Sequence, residues 1–116
     1  MATQTRMFLF ADIEGAAPMS RRLRDAYSGV LADHRRLIRA GLAAHGGKEV
    51  FARGDEFSAE FASPRACADA AIQLQRELVS HVWPAGERVR TRMGIHGGDA
   101  SQTPTAGTMR NRTAVI

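Results

Sequence analysis

Two strand-like runs, KEVFAR (48–53) and EFSAEF (56–61), are separated only by Gly54 and Asp55. A two-residue connection of this type between short apolar-rich segments predicts a tight β-hairpin. Phe57, Ala59 and Phe61 then share one face, and Ser58 and Glu60 the other. A lone hairpin is marginal in water, so this one must be extended by other strands and covered by helices. Both flanks carry a helix. On the N-terminal side, Leu23, Tyr27, Val30, Leu31, His34, Leu37, Ile38 and Leu42 recur at three- and four-residue steps. Arg35, Arg36 and Arg39 fall mostly on the other side, which predicts one amphipathic helix to about Ala44, bent near Gly29. His45, Gly46 and Gly47 stop it. On the C-terminal side, Ser63 and Pro64 form a cap and first-turn proline. Cys67, Ala70, Ala71, Leu74 and Leu78 then mark the buried stripe of a second helix.

A strand lies beyond each helix. Residues 6–12 (RMFLFAD) form a short apolar run ending at a carboxylate. Residues 88–96 (RVRTRMGIH) alternate, with Val89, Thr91, Met93 and Ile95 set against Arg88, Arg90 and Arg92. Pro18 favours a helix start after the first strand. From residue 99 no period is sustained. The order strand, helix, hairpin, helix, strand predicts one α+β domain over 1–116, with helices on one face of a mainly antiparallel sheet.

With 116 residues, 44% apolar and 24% charged, the chain has ordinary globular composition. No apolar run approaches the ~20 residues of a membrane span. The apolar start ends in Asp12 and Glu14 and lacks a cleavage pattern, so no signal peptide is expected. A single cysteine, Cys67, cannot form an internal bridge, which fits the reducing cytoplasm. Sixteen basic against twelve acidic residues leave a charge of +4, which suits an anionic partner. Arg88, Arg90 and Arg92 carry no interleaved aromatics, so they read as a solvated strand face and no nucleic-acid partner is expected. His34, on the apolar helix face, reads as a core histidine. Cys67 reads as a small core residue. The two His-Gly-Gly stretches read as turns, lacking phosphate-loop spacing.

Two carboxylates stand out by position. Asp12 ends the first strand and Asp55 tips the hairpin, so neighbouring strands would bring both to one sheet edge. Carboxylate oxygens so placed suit Mg²⁺ or Mn²⁺. Glu14, Gly15, Ala16 and Ala17 lead from Asp12 into a helix, whose free N–H groups and dipole suit a phosphate. Turn and cap roles would explain the same residues without any ligand.

At these residues the sequence resembles a known family. FLFADIEGA (8–16), AAHGGKEVFARGDEFSAEF (43–61) and RTRMGIHGGDA (90–100) resemble, in order and spacing, the catalytic domain of the bacterial branch of class III adenylate and guanylate cyclases. The match is good over 6–100, while 101–116 diverges. The resemblance implies a ferredoxin-like α/β sandwich. It implies that Asp12, Asp55 and the Ile13 carbonyl hold two Mg²⁺ or Mn²⁺ ions, and that Gly15, Ala16 and Ala17 cradle phosphates. It implies that Asn111 orients the ribose, and that ATP or GTP is converted to a cyclic nucleotide and pyrophosphate for signalling. The site of such cyclases is shared between two subunits, which implies a homodimer or a cyclase-family partner.

The chain departs from the family pattern at several positions. Phe51 stands four residues before Asp55, where adenine-reading relatives carry Lys and guanine-reading relatives Glu. Glu56 follows Asp55, where Gly is frequent. The base-reading Asp and the transition-state Arg fall on Pro104 and Val115. The chain stops at Ile116, before the last helix and two strands of the family fold, so a truncated, partly degenerate domain is expected. These departures keep open a second reading, a catalytically silent regulatory or dimerisation module.

Overall fold

The computed structural model describes residues 5–99 and 114–115. Strand β1 (Thr5–Ile13) leads into helix α1 (Ala16–Leu23), a 3₁₀ turn (Arg24–Ala26) and helix α2 (Tyr27–Ala44). The hairpin of β2 (Lys48–Arg53) and β3 (Glu56–Phe61) follows, then α3 (Pro64–Ser80). A second 3₁₀ turn (Pro84–Gly86) precedes β4 (Thr91–Asp99), and β5 (Ala114–Val115) ends the described chain. The sheet order is β2-β3-β1-β4-β5, with every neighbouring pair antiparallel. Two helical crossovers that leave the first strand beside the third and fourth make the split βαβ arrangement of ferredoxin-like folds. The expected antiparallel sheet with helices is therefore what the chain forms.

Alternation along β1 divides the sheet. Leu9, Ala11 and Ile13 point into the core, where Phe57, Ala59 and Phe61 of β3 and Met93 of β4 meet the helices. Helix α2 contributes Val30, Ile38 and Leu42, and α3 contributes Cys67, Ala70, Ala71, Leu74 and Leu78. The helices cross closely at Gly41, where an added Cβ would lie 2.3 Å from Leu74 Cδ2. The start of α3 follows its sequence signal: the Ser63 hydroxyl accepts from the Ala66 N–H at 3.2 Å, with Pro64 in the first turn. Cys67 is fully buried, and burial raises its thiol pKa to about 11.

Three expectations change. The helical segment after β1 is not one helix bent near Gly29. It breaks at Arg24, whose φ of 52° is left-handed, and Gly29 continues within α2. The last long strand begins at Thr91 rather than at 88 and runs on through Gly97 and Gly98. Its length is set by pairing with β1, from Ile13↔Thr91 to Thr5↔Asp99. Among the described residues, 88–90 lie past the end of β1 at Ile13, where only the Glu14 N–H still donates to the Arg90 carbonyl at 2.8 Å. By the same pairing with β1, His96, Gly97 and Gly98 form strand and not a turn. Only His45, Gly46 and Gly47 serve as a turn, with the Gly47 N–H donating to the Leu42 carbonyl at 2.9 Å. Among the described residues no helix is long and apolar enough to cross a membrane.

Candidate functional site at the end of β1

Pairing of β1 with β3 carries the hairpin tip back to the end of β1. There the Ile13 N–H donates to Asp55 Oδ2 at 2.9 Å. The hairpin carboxylate thus rests on the residue that follows Asp12, across 42 positions of sequence. Ile13 and Asp55 are therefore in direct contact at the sheet edge, and Asp12 is the residue before Ile13 in the chain. The tip is also held from behind, where Arg35 of α2 donates to the Gly54 carbonyl at 2.8 Å. Tyr27, also on α2, has its pKa raised by burial and then by the Asp55 charge.

Asp12 lies on the sheet face opposite the core, as alternation with Ala11 and Ile13 requires. It is engaged by Arg92, its partner in the β1–β4 ladder. Arg92 Nε donates to Asp12 Oδ1 at 2.7 Å and Nη2 to Oδ2 at 2.8 Å, a bidentate charge-assisted pair. This hydrogen bonding, reinforced by the Asp12 charge, raises the Arg92 pKa. The solvated-face reading therefore misses Arg92. Only the pairing register shows it, because 80 residues separate the two side chains.

Below the sheet edge, buried His34 meets the Thr91 hydroxyl at 2.9 Å, and Gln75 Nε2 donates to the Thr91 carbonyl at 2.8 Å. Two helices thus hold the strand residue opposite Ile13. Burial lowers the His34 pKa to about 4, against the opposing pull of the Asp55 and Asp12 charges. His34 is the expected core histidine.

The remaining site residues divide. Gly15 begins α1 with φ 70°, and no side chain caps that helix end. Ala16 and Ala17 form its first turn, next to Asp12. Phe51 sits on β2 opposite Ser58, with its ring 6.2 Å from that of Phe10. Asn111 and Pro104 lie outside the described residues. Val115 lies in β5, opposite Gly94.

Asp12, Asp55 and the Ile13 carbonyl are the groups here that could hold a cation. Two carboxylates and a backbone carbonyl offer oxygen only, and among the described residues no three His, Cys, Asp or Glu side chains cluster. Such a site suits Mg²⁺ or Mn²⁺, which complete their shells with water and phosphate oxygens, better than a closed zinc or calcium cage.

Comparisons with known proteins find likeness in sequence and in fold. A receptor-type adenylate cyclase of Trypanosoma congolense is 39% identical over 79 residues, covering 65% of this chain and 10% of that protein. Adenylate cyclases from Trypanosoma brucei in their monomeric state superpose with a TM-score of 0.79 at 21% identity, covering 98% of this chain and 64% of theirs. The guanylate cyclase domain of RhGC from Catenaria anguillulae, solved with GTP, gives 0.77 at 17% identity, covering 84% and 58%. The catalytic core of a rhodopsin-guanylyl cyclase with converted specificity, solved with ATPαS, gives 0.82 at 15% identity, covering 97% and 74%. No family model matches the chain. The fold is that of the adenylate and guanylate cyclase catalytic domains. The chain spans a tenth of the length of the receptor-type relative and 58% to 74% of the solved domains named here.

Proposed function

We propose that this chain is the metal-dependent catalytic domain of a nucleotide cyclase, converting ATP or GTP to the 3′,5′-cyclic monophosphate and pyrophosphate. The observation that carries the reading is the seating of the Asp55 carboxylate on the Ile13 N–H, beside Asp12. In this reading Asp12, Asp55 and the Ile13 carbonyl hold two Mg²⁺ or Mn²⁺ ions. Such ions, when bound, lower the pKa of a coordinated hydroxyl and neutralise phosphate charge. Gly15, Ala16 and Ala17 offer the α1 N-terminus to a phosphate. Phe51 packs against the base. It has no donor or acceptor, so it supplies no hydrogen-bond selection between adenine and guanine. Asn111 orients the ribose. A second copy, or another cyclase-family subunit, completes the site, and the domain works in the cytoplasm.

The absence of polar groups on Phe51 favours one further reading, a domain that binds nucleotide with metal but does not turn it over. One assay separates the two. Purified protein is incubated with ATP or GTP and Mn²⁺, and cyclic product is measured for the wild type and Asp55→Asn. Product that vanishes in the variant supports the cyclase. Metal-dependent nucleotide binding without product overturns turnover and supports the silent module. Absence of both overturns the site itself.

A further inference from the structure

The carboxylate oxygens at the end of β1 are largely committed. Both oxygens of Asp12 accept from the Arg92 fork, and one oxygen of Asp55 accepts the Ile13 N–H. The Ile13 bond leaves its carboxylate one free edge. The Arg92 fork places a full positive charge against Asp12, where a divalent cation would have to arrive. The two cations would lie a few ångströms apart and repel each other.

We propose that Arg92 is a tethered counter-ion that competes with the divalent cation for Asp12, so that metal binding and release of the Arg92 guanidinium are one linked event. The proposal rests on the reading of Asp12 and Asp55 as metal ligands. Two features of the chain favour it over an incidental cross-strand pair. The ladder fixes Arg92 opposite Asp12, so the guanidinium stays at the site through its backbone whether or not the ion pair is made. Its side chain is 60% exposed, so water receives the displaced guanidinium at little cost. A buried pair would resist such exchange, because breaking it strands a charge. By reciprocity, whatever weakens the pair tightens the metal, and whatever tightens the metal frees Arg92.

The test is Mn²⁺ binding to the whole chain without nucleotide, at low ionic strength, read from the spectrum of free Mn²⁺. Arg92→Met should bind Mn²⁺ about tenfold more tightly than the wild type, the scale of one unit charge removed a few ångströms from a divalent ion in a solvated site. Arg88→Met removes the same charge from the residues before β4 and should shift binding by less than about twofold, as screening requires. Equal affinity of wild type and Arg92→Met, with binding lost in Asp55→Asn, overturns the counter-ion and leaves the metal site standing. No Mn²⁺ binding by any variant overturns both. A second measurement needs no variant to fold. On titrating the wild type with Mg²⁺, the Arg92 Nε–H resonance should move from its hydrogen-bonded position to that of a solvated arginine. A resonance unmoved at saturating Mg²⁺ overturns the proposal.

Discussion

Replacing Gly41 by Ala should destabilise this domain, against the ordinary behaviour of a helical glycine. In an open helix interior, alanine gains about 1 kcal/mol over glycine. Here the added Cβ would lie 2.3 Å from Leu74 Cδ2 and 2.8 Å from Leu74 Cγ. Carbon atoms rest about 3.5–4.0 Å apart, so Leu74 must retreat by more than about 1 Å. It has nowhere to go, being fully buried with 0% exposure among the α3 stripe and the sheet. Overpacking of this kind costs roughly 1–3 kcal/mol, and the branch carbon cannot be relieved by turning a terminal methyl. With the branch carbon itself in the clash, the strain should outweigh the propensity gain of about 1 kcal/mol, for a net loss of up to about 2 kcal/mol. At roughly 4–8 °C per kcal/mol, that is a clear fall in Tm. Urea denaturation of Gly41→Ala, Leu74→Ala and the double variant closes the cycle. Leu74→Ala alone should cost about 2–5 kcal/mol through its cavity. In that background Gly41→Ala should become stabilising, giving a coupling of about 1–3 kcal/mol. A Gly41→Ala variant more stable than the wild type would refute the close-crossing argument.

Further outcomes follow from buried groups. His34 has its pKa lowered to about 4 by burial, below the unfolded value near 6.5. The unfolded chain therefore binds a proton that the folded chain refuses, so stability is complete above pH 6.5 and falls as pH drops toward 4. Between pH 7.5 and 5 the loss should be about 2 kcal/mol, and His34→Gln should remove it. Urea midpoints with the same pH slope in both proteins would contradict the burial of a neutral imidazole. Cys67, buried with its thiol raised to about 11, should resist a disulfide reagent in the native protein and react at once in urea. Rapid native labelling would show that α3 opens readily.

Local chemistry was enough to read much of the fold. The Gly54 and Asp55 connection defines its hairpin with both strands at their observed limits, because a two-residue turn sets the register beside it, from Arg53↔Glu56 to Phe51↔Ser58; the bulge between Glu49 and Phe51 shifts it farther out. Ser63 and Pro64 begin α3 at the observed residue, because the cap bond is made within one turn. The apolar stripes of α2 and α3 point where their periods place them. The break at Arg24 escapes the pattern because arginine rarely adopts a positive φ, and nothing in its neighbours announces one.

The order strand, helix, hairpin, helix, strand and the positions of Asp12 and Asp55 at strand ends were thus determined by the sequence alone, because turns, caps and hydrophobic periods act over a few residues. The tertiary structure alone decided the limits of β4, the pairing of Arg92 with Asp12 and the hold of Arg35 on the hairpin tip. Each depends on which strand or helix lies alongside, and that is chosen by burial of the whole core rather than by any local signal. An arginine on a strand face reads alike whether it meets water or a carboxylate, until the register of β1 against β4 places Asp12 opposite it.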